Sequence, residues 1–171
     1  MINSLKELFP HIEENGCIEI LLDKEFAIYD DEEDKRCYLT EENGQFIVLN
    51  PREEKITFLS VDACLFDSSD GSRSDCIVYD EELFCFIELK NCKNKNIKAN
   101  RSKAKKQLIA TIDFFTKNLA LEQKLEAYIC ISCSSDDAGF IMTPRADNME
   151  AISEFDELYN TALFYKCQKK F

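Results

Sequence analysis

Ser74-Asp75-Cys76-Ile77-Val78-Tyr79-Asp80-Glu81-Glu82-Leu83-Phe84-Cys85-Phe86-Ile87-Glu88-Leu89-Lys90 is the stretch that decides the fold. Residues 75–79 read as a strand, 80–82 as a polar turn and 83–90 as a second strand. Two strands joined this closely form an antiparallel hairpin. The run 83–87 is apolar at every position, as in a strand covered on both faces. It ends in Glu88 and Lys90, which point the same way because side chains on a strand alternate. Folding the hairpin at 80–82 brings Asp75 opposite Glu88. Two carboxylates and an ammonium then converge at the end of a buried strand. Burying such charges is costly unless they pair, bind a metal or reach solvent.

The segment that begins at Lys90 is the most biased of the chain. From Lys90 to Lys106 there are eight basic residues and no acidic one. The remainder carries 13 basic residues against 33 acidic ones, within a net charge of −12. The chain reads as an acidic body with one concentrated basic segment, set directly behind the convergent acids. An overall negative charge opposes nucleic-acid binding, but the distribution decides the matter. The periodicity predicts a long helix over 99–121, with Ala104, Leu108, Ile112, Phe115 and Leu119 as its buried face. An apolar strand over 125–133 comes next.

Working outward, Ser4 and Glu7 form a capping-box pattern for a first helix, with Leu5, Leu8, Phe9 and Ile12 on one face. Pro10 kinks or ends it, and Glu13, Glu14, Asn15 and Gly16 close it. Strands are expected at 18–22, 26–29, 46–49 and 56–66. Further on, a strand is expected at 140–143, a helix at 148–159 and a strand at 161–166. The acidic run 30–34 reads as an exposed loop without chemistry. The order of elements implies one α/β domain over 1–171, with a central mixed sheet flanked by helices.

Composition limits the alternatives. The 171 residues are 45% hydrophobic, enough for one sizeable core. No apolar run approaches the roughly 18 residues of a spanning helix, and no leader pattern opens the chain, so neither membrane contact nor export is expected. Nine cysteines, an odd number, make a poor disulfide framework and read as small buried hydrophobes in a reducing, cytoplasmic setting. Cys130 and Cys133 form a CxxC inside a strand. The chain's single histidine, His11, leaves no complete zinc set.

Paired carboxylates beside a lysine suit phosphodiester hydrolysis. The acids hold a hard divalent cation through oxygen, the cation polarises phosphate, and the lysine orients water or stabilises developing charge. In this respect the chain resembles the PD-(D/E)XK nuclease superfamily over about half its length, residues 56–133. The resemblance implies a restriction-endonuclease-like core (αβββαβ) and metal ligation by Asp75, Glu88 and the backbone carbonyl of Leu89. Lys90 is then the catalytic lysine, and Mg²⁺ the cofactor, with Mn²⁺ as a substitute. Gln107 matches the glutamine that some members carry on the following helix, and Glu13 or Glu14 an acid that some take from the first helix. Two positions depart from the pattern: Ser74 stands in place of proline, and Thr111 where a tyrosine follows the glutamine. Lys93, Lys95, Lys98, Arg101, Lys103 and Lys106 are the expected phosphate contacts.

The implied function is a Mg²⁺-dependent endodeoxyribonuclease in a restriction or anti-phage (antiviral) defence system. The acidic body suggests a homodimer or a larger protein partner that supplies targeting. Nothing in the residues separates DNA from RNA. The competing reading is a non-enzymatic acidic protein, an interaction partner or DNA mimic. The concentrated basic segment opposes it, since a mimic presents uniform negative potential.

Overall fold

The computed structural model describes residues 1–41, 44–67, 70–92, 97–133 and 146–171. The main sheet is built from β1 (Ile18–Leu21), β5 (Ile56–Ser60), β6 (Cys76–Tyr79), β7 (Leu83–Cys92), β8 (Lys124–Cys133) and β9 (Thr161–Phe164), in the order β1-β5-β6-β7-β8-β9. The pairs β1–β5, β5–β6 and β6–β7 are antiparallel. After β7 the chain crosses through α2 (Ile97–Asn118) and returns as β8, parallel to β7 over Leu83↔Lys124 to Cys92↔Cys133. Strand β9 comes after α3 (Ala146–Tyr159) and is again parallel. The expected α/β fold with a mixed sheet and a 75–90 hairpin is present. Hairpin register pairs Cys76 with Ile87 and Tyr79 with Phe84.

A second sheet, not expected from the sequence, takes the order β10-β4-β2-β3, from β2 (Glu25–Asp31), β3 (Arg36–Thr40), β4 (Phe46–Leu49) and β10 (Gln168–Lys170). It packs on the face of the main sheet that carries Phe58, Cys76, Val78, Cys85, Ile87 and Leu89. Phe46 of β4 meets Tyr128 of β8 edge-on at 5.4 Å. Among the described residues, helices α1 (Ile2–Leu8), α2 and α3 lie on the opposite face, around Phe84, Phe86, Leu108 and Phe115. The expected central mixed sheet with helices against it is present, and among the described residues the second sheet covers its other face. Strands β3 and β10 are short and half-exposed, so they carry no continuous apolar signal. Gly44 sits where β4 approaches β2: a Cβ there would overlap the Ala27 Cβ.

Several local expectations shift. Helix α1 spans Ile2–Leu8 with Met1 as its N-cap, so Ser4 and Glu7 lie inside it and form no capping box. It stops before Pro10, whose ring cannot continue the hydrogen-bond ladder. The strand expected over 56–66 ends at Ser60, and 62–65 form a turn. The strand expected over 161–166 ends at Phe164. The one expected at 140–143 lies outside the described residues. The helix expected over 99–121 spans Ile97–Asn118; Ala104, Leu108, Ile112 and Phe115 are its buried face as expected, Gln107 and Thr111 join them, and Leu119 is buried just past its end.

The cysteines also differ from expectation. Cys17 is bonded to Cys64, and Cys130 to Cys167. Partners 47 and 37 residues apart leave no trace in local spacing. Cys130 is thereby committed, which removes the CxxC as a zinc pair. The pairing also withdraws the cysteine argument for a reducing compartment. Cys37, Cys76 and Cys85 remain buried thiols. Among the described residues, no helix is long and apolar enough to cross a membrane.

Candidate functional site

Ile77 and Tyr79 of β6, with Phe84 and Phe86 of β7, face the helix layer. Two-residue alternation places Asp75, Glu88 and Lys90 on that same face, at the carboxyl end of β7. This is where an α/β sheet with a parallel crossover presents its functional groups. Asp75 lies one residue before the paired part of β6, so it has no ladder partner of its own on β7. Its Oδ2 instead accepts a hydrogen bond from the Leu89 backbone N–H at 2.5 Å. The N–H and C=O of one strand residue point to the same side. The Leu89 carbonyl is therefore directed to the β6 side as well.

Glu88 is fully buried, and Asp75 is 5% exposed. The Lys90 ammonium is ion-paired with Glu88. No backbone or side-chain amide among the described residues donates to the Glu88 carboxylate. Burial raises the Asp75 carboxyl to about 7, against the lowering pull of Lys90 and of the Leu89 N–H. Burial, and then the nearby Asp75, raise Glu88 well above the usual carboxylate range, with Lys90 opposing. For Lys90, burial acts to lower the ammonium, but Asp75 and Glu88 outweigh it and the net direction is upward. Lys90 is held as a cation between acids that burial penalises as anions.

Two further acids reach this centre, and both were missed in the sequence. Asp30, on β2 of the second sheet, is raised mainly by burial, with Lys90 lowering it and Asp62 raising it. The run 30–34, read as a loop without chemistry, thus contributes a half-buried carboxylate beside Lys90. Asp62, just past β5, is raised by burial and lowered by the Ala63 N–H, Lys90, Lys103 and Lys35. Its backbone N–H and that of Val61 converge on the Asp75 carbonyl, at 3.4 and 3.0 Å. Nothing local marks these residues, because tertiary packing of β2 and of the β5 end brings them in. Among the described residues, no three of His, Cys, Asp and Glu are gathered as a ready metal-ligand group.

Gln107 is buried, and its Nε2 donates to the Arg73 carbonyl at 2.7 Å. It holds the backbone leading into Asp75, and no hydrogen bond joins it to the acids among the described residues. Arg73 itself lies over the rings of Phe66 and Phe114, at 4.9 and 5.7 Å. Glu13 is exposed in the turn after α1 and pairs with Lys6 at 2.8 Å, and Glu14 is exposed beside it. The acids that bear on Lys90 are Asp30 and Asp62 in addition to Asp75 and Glu88.

The basic segment is divided by the helix. Lys98, Lys103 and Lys106 are exposed, and Lys103 shares a flank with Gln107 and acts on Asp62. Arg101 and Lys105 occupy the other flank. There Arg101 lies over Tyr165 at 5.7 Å, and Lys105 pairs with Glu154 of α3 at 2.8 Å. Lys93 and Lys95 lie outside the described residues, as does Arg145. Comparison with family models, with curated proteins and with solved structures returned no match.

Proposed function

We propose that this protein is a metal-dependent endonuclease that hydrolyses phosphodiester bonds, with Asp75, Glu88 and Lys90 at its centre. The observation that carries the proposal is the juxtaposition of these three on one sheet face, with Asp75 tied to the Leu89 N–H and Lys90 paired with Glu88. The run β5-β6-β7, crossover α2 and parallel β8 supports a restriction-endonuclease-like core.

A hard divalent cation, Mg²⁺ or Mn²⁺, fits the residues present. Two buried carboxylates whose ionised forms are disfavoured, one of them without an amide donor, gain most from a cation that takes oxygen ligands. Asp75, Glu88 and the Leu89 carbonyl would hold it. When bound, it supplies charge to polarise a phosphate and lowers the pKa of water. The chain's own residues do the rest. Lys90, kept cationic by its acids, hydrogen-bonds the attacking water or the phosphoryl oxygen as negative charge develops. Lys103 and Lys106 offer charge to neighbouring phosphates. DNA is the proposed substrate, with RNA tested beside it. The acidic body favours docking on a second copy or a larger partner, as in a restriction or anti-phage system.

The test is incubation of the protein with plasmid, linear duplex, single-stranded DNA and RNA in Mg²⁺ or Mn²⁺, beside Lys90→Ala and a chelator control. Cleavage that needs metal and falls at least ~100-fold in the variant supports the reading. Absence of cleavage, together with no Asp75-dependent metal binding by calorimetry, overturns it.

A further inference from the structure

Two hooks on α2 hold the segment that carries Asp75. Gln107 grips the Arg73 carbonyl at 2.7 Å, and one helical turn on, Thr111 Oγ1 accepts the Ser74 N–H at 2.7 Å. Both Ser74 and Thr111 are fully buried, so that N–H has no recourse to water. The Thr111 hydroxyl proton is already engaged, donated to the Gln107 carbonyl at 2.9 Å. Its lone pairs are therefore the part left to face Ser74. The next residue, Asp75, is then fixed from two sides. Its carbonyl accepts from Val61 N–H at 3.0 Å, and its carboxylate from Leu89 N–H at 2.5 Å.

This arrangement accounts for both departures from the nuclease pattern. A proline at 74 would bring no N–H and need no acceptor. Serine brings one into a dry site, and threonine at 111 supplies the matching acceptor, which a bulky tyrosine ring could not do from the same buried position. The two deviations are one interaction.

We infer that Thr111 is a positioning residue: through the Ser74 N–H it sets the backbone from which the Asp75 carboxylate reaches Leu89. Gln107 assists from the Arg73 side, and among the described residues no hydrogen bond joins it to the acids. The placement of Asp75 stands on the hydrogen bonds alone. Only its catalytic consequence rests on the endonuclease reading.

The experiment compares Thr111→Val, which keeps shape and removes the acceptor, with Thr111→Ser, which keeps the acceptor, and with Gln107→Met. Folding is followed by circular dichroism, and the Leu89 amide resonance by ¹⁵N-¹H NMR, since a short bond to a carboxylate displaces that proton strongly downfield. Thr111→Val is expected to move the Leu89 resonance upfield and to weaken Mg²⁺ binding about tenfold or more, as loss of a supporting bond around a metal ligand does. Thr111→Ser is expected to retain both. Gln107→Met, whose grip is one residue further from Asp75, is expected to move the resonance by less. If Thr111→Val does not fold, a Thr111→Ser protein with the wild-type Leu89 resonance and an intermediate shift in Gln107→Met support the inference. A folded Thr111→Val with the Leu89 resonance unmoved overturns it, as does a displaced resonance in Thr111→Ser. If Leu89 moves as expected but the wild type binds no Mg²⁺ and cuts nothing, the positioning holds and the nuclease reading fails.

Discussion

The Asp75 carboxylate is joined to the Leu89 backbone N–H across the open end of the β6–β7 hairpin. The bond takes the place of the ladder contact that the Ser74 carbonyl would make with Leu89 if β6 ran two residues further. One acid thus closes the sheet and leaves its second oxygen for other use. Its cost is burial, which raises this carboxyl to about 7.

That shift has a signed consequence for stability. The folded state holds the Asp75 proton to about pH 7, whereas the unfolded chain releases it near the ordinary value of 3.8. Between those values the folded protein binds more protons, so this group makes stability fall as pH rises and level off above about 7. Asp75→Asn, which keeps an acceptor for Leu89 N–H, is expected to remove the Asp75 share of that decline, leaving the Glu88 share, and to stabilise the apoprotein at pH ~8 by a few kcal/mol, on the order set by ~1.4 kcal/mol per pKa unit. Urea titrations at pH ~5 and pH ~8 measure it. Mg²⁺ is expected to flatten the wild-type decline and leave the variant unchanged.

The opposite sign holds at the far end of the main sheet. Glu126 on β8 accepts from Tyr128 OH and from Lys169 Nζ of β10, each at 2.6 Å. Burial acts to raise Glu126, but Lys169 and Tyr128 outweigh it and the net direction is downward. Its contribution is therefore present above the unfolded value of 4.5 and lost as pH falls through the lower folded value. Lys169→Met leaves the buried Glu126 carboxylate with Tyr128 OH and the exposed Lys124 at 3.9 Å, and is expected to cost about 2 kcal/mol at neutral pH, by urea denaturation. The same variant at pH ~3 should lose far less. An equal loss at both pH values would refute an electrostatic staple.

Gly44→Ala tests the closeness of β4 to β2. The added methyl overlaps Ala27 Cβ and meets the Ile28 backbone at 3.1 Å, so the strands must part. A loss of about 2 kcal/mol is expected, at the level of an overpacked core. A thermal transition unchanged within a degree would contradict it.

The two flanks of α2 should respond differently to charge reversal. Lys103→Glu, on the flank of Gln107 and Asp62, is expected to lower cleavage or DNA affinity about tenfold and to reduce its salt dependence. Lys105→Glu breaks the pair with Glu154 and is expected to lower stability with little effect on DNA. Filter binding across a salt series separates the two.

The hairpin, the long helix and the parallel return were legible because each carries its own period: an apolar run ending in Glu88 and Lys90, and buried positions of α2 spaced by three and four. The second sheet was not legible. Its outer strands β3 and β10 are short and half-exposed, and β10 pairs with a strand from the other end of the chain. That omission hid Asp30 as well, since an acid at the end of an unrecognised strand reads as loop. The bonds that Asp62 and Thr111 make to this centre were hidden for a different reason. Each acts through a backbone group of the segment around Asp75, and side-chain patterns carry no information about where backbone bonds go. Gln107 was singled out by motif position, and the structure shows it gripping the Arg73 carbonyl.

Strand β4 is flanked by β2, its near neighbour in sequence, and by β10, which follows far later in the chain. As the polypeptide leaves the ribosome, β4 emerges with one row of amides and carbonyls bare, and the strand that covers it is made only after β5 to β9. Until then the apolar face that Phe46 and Val48 share with the main sheet is only partly enclosed. Until β10 is made the nascent chain is therefore open to wrong pairing at β4, and truncation before Gln168 should yield aggregates where a chain that includes β10 stays monodisperse.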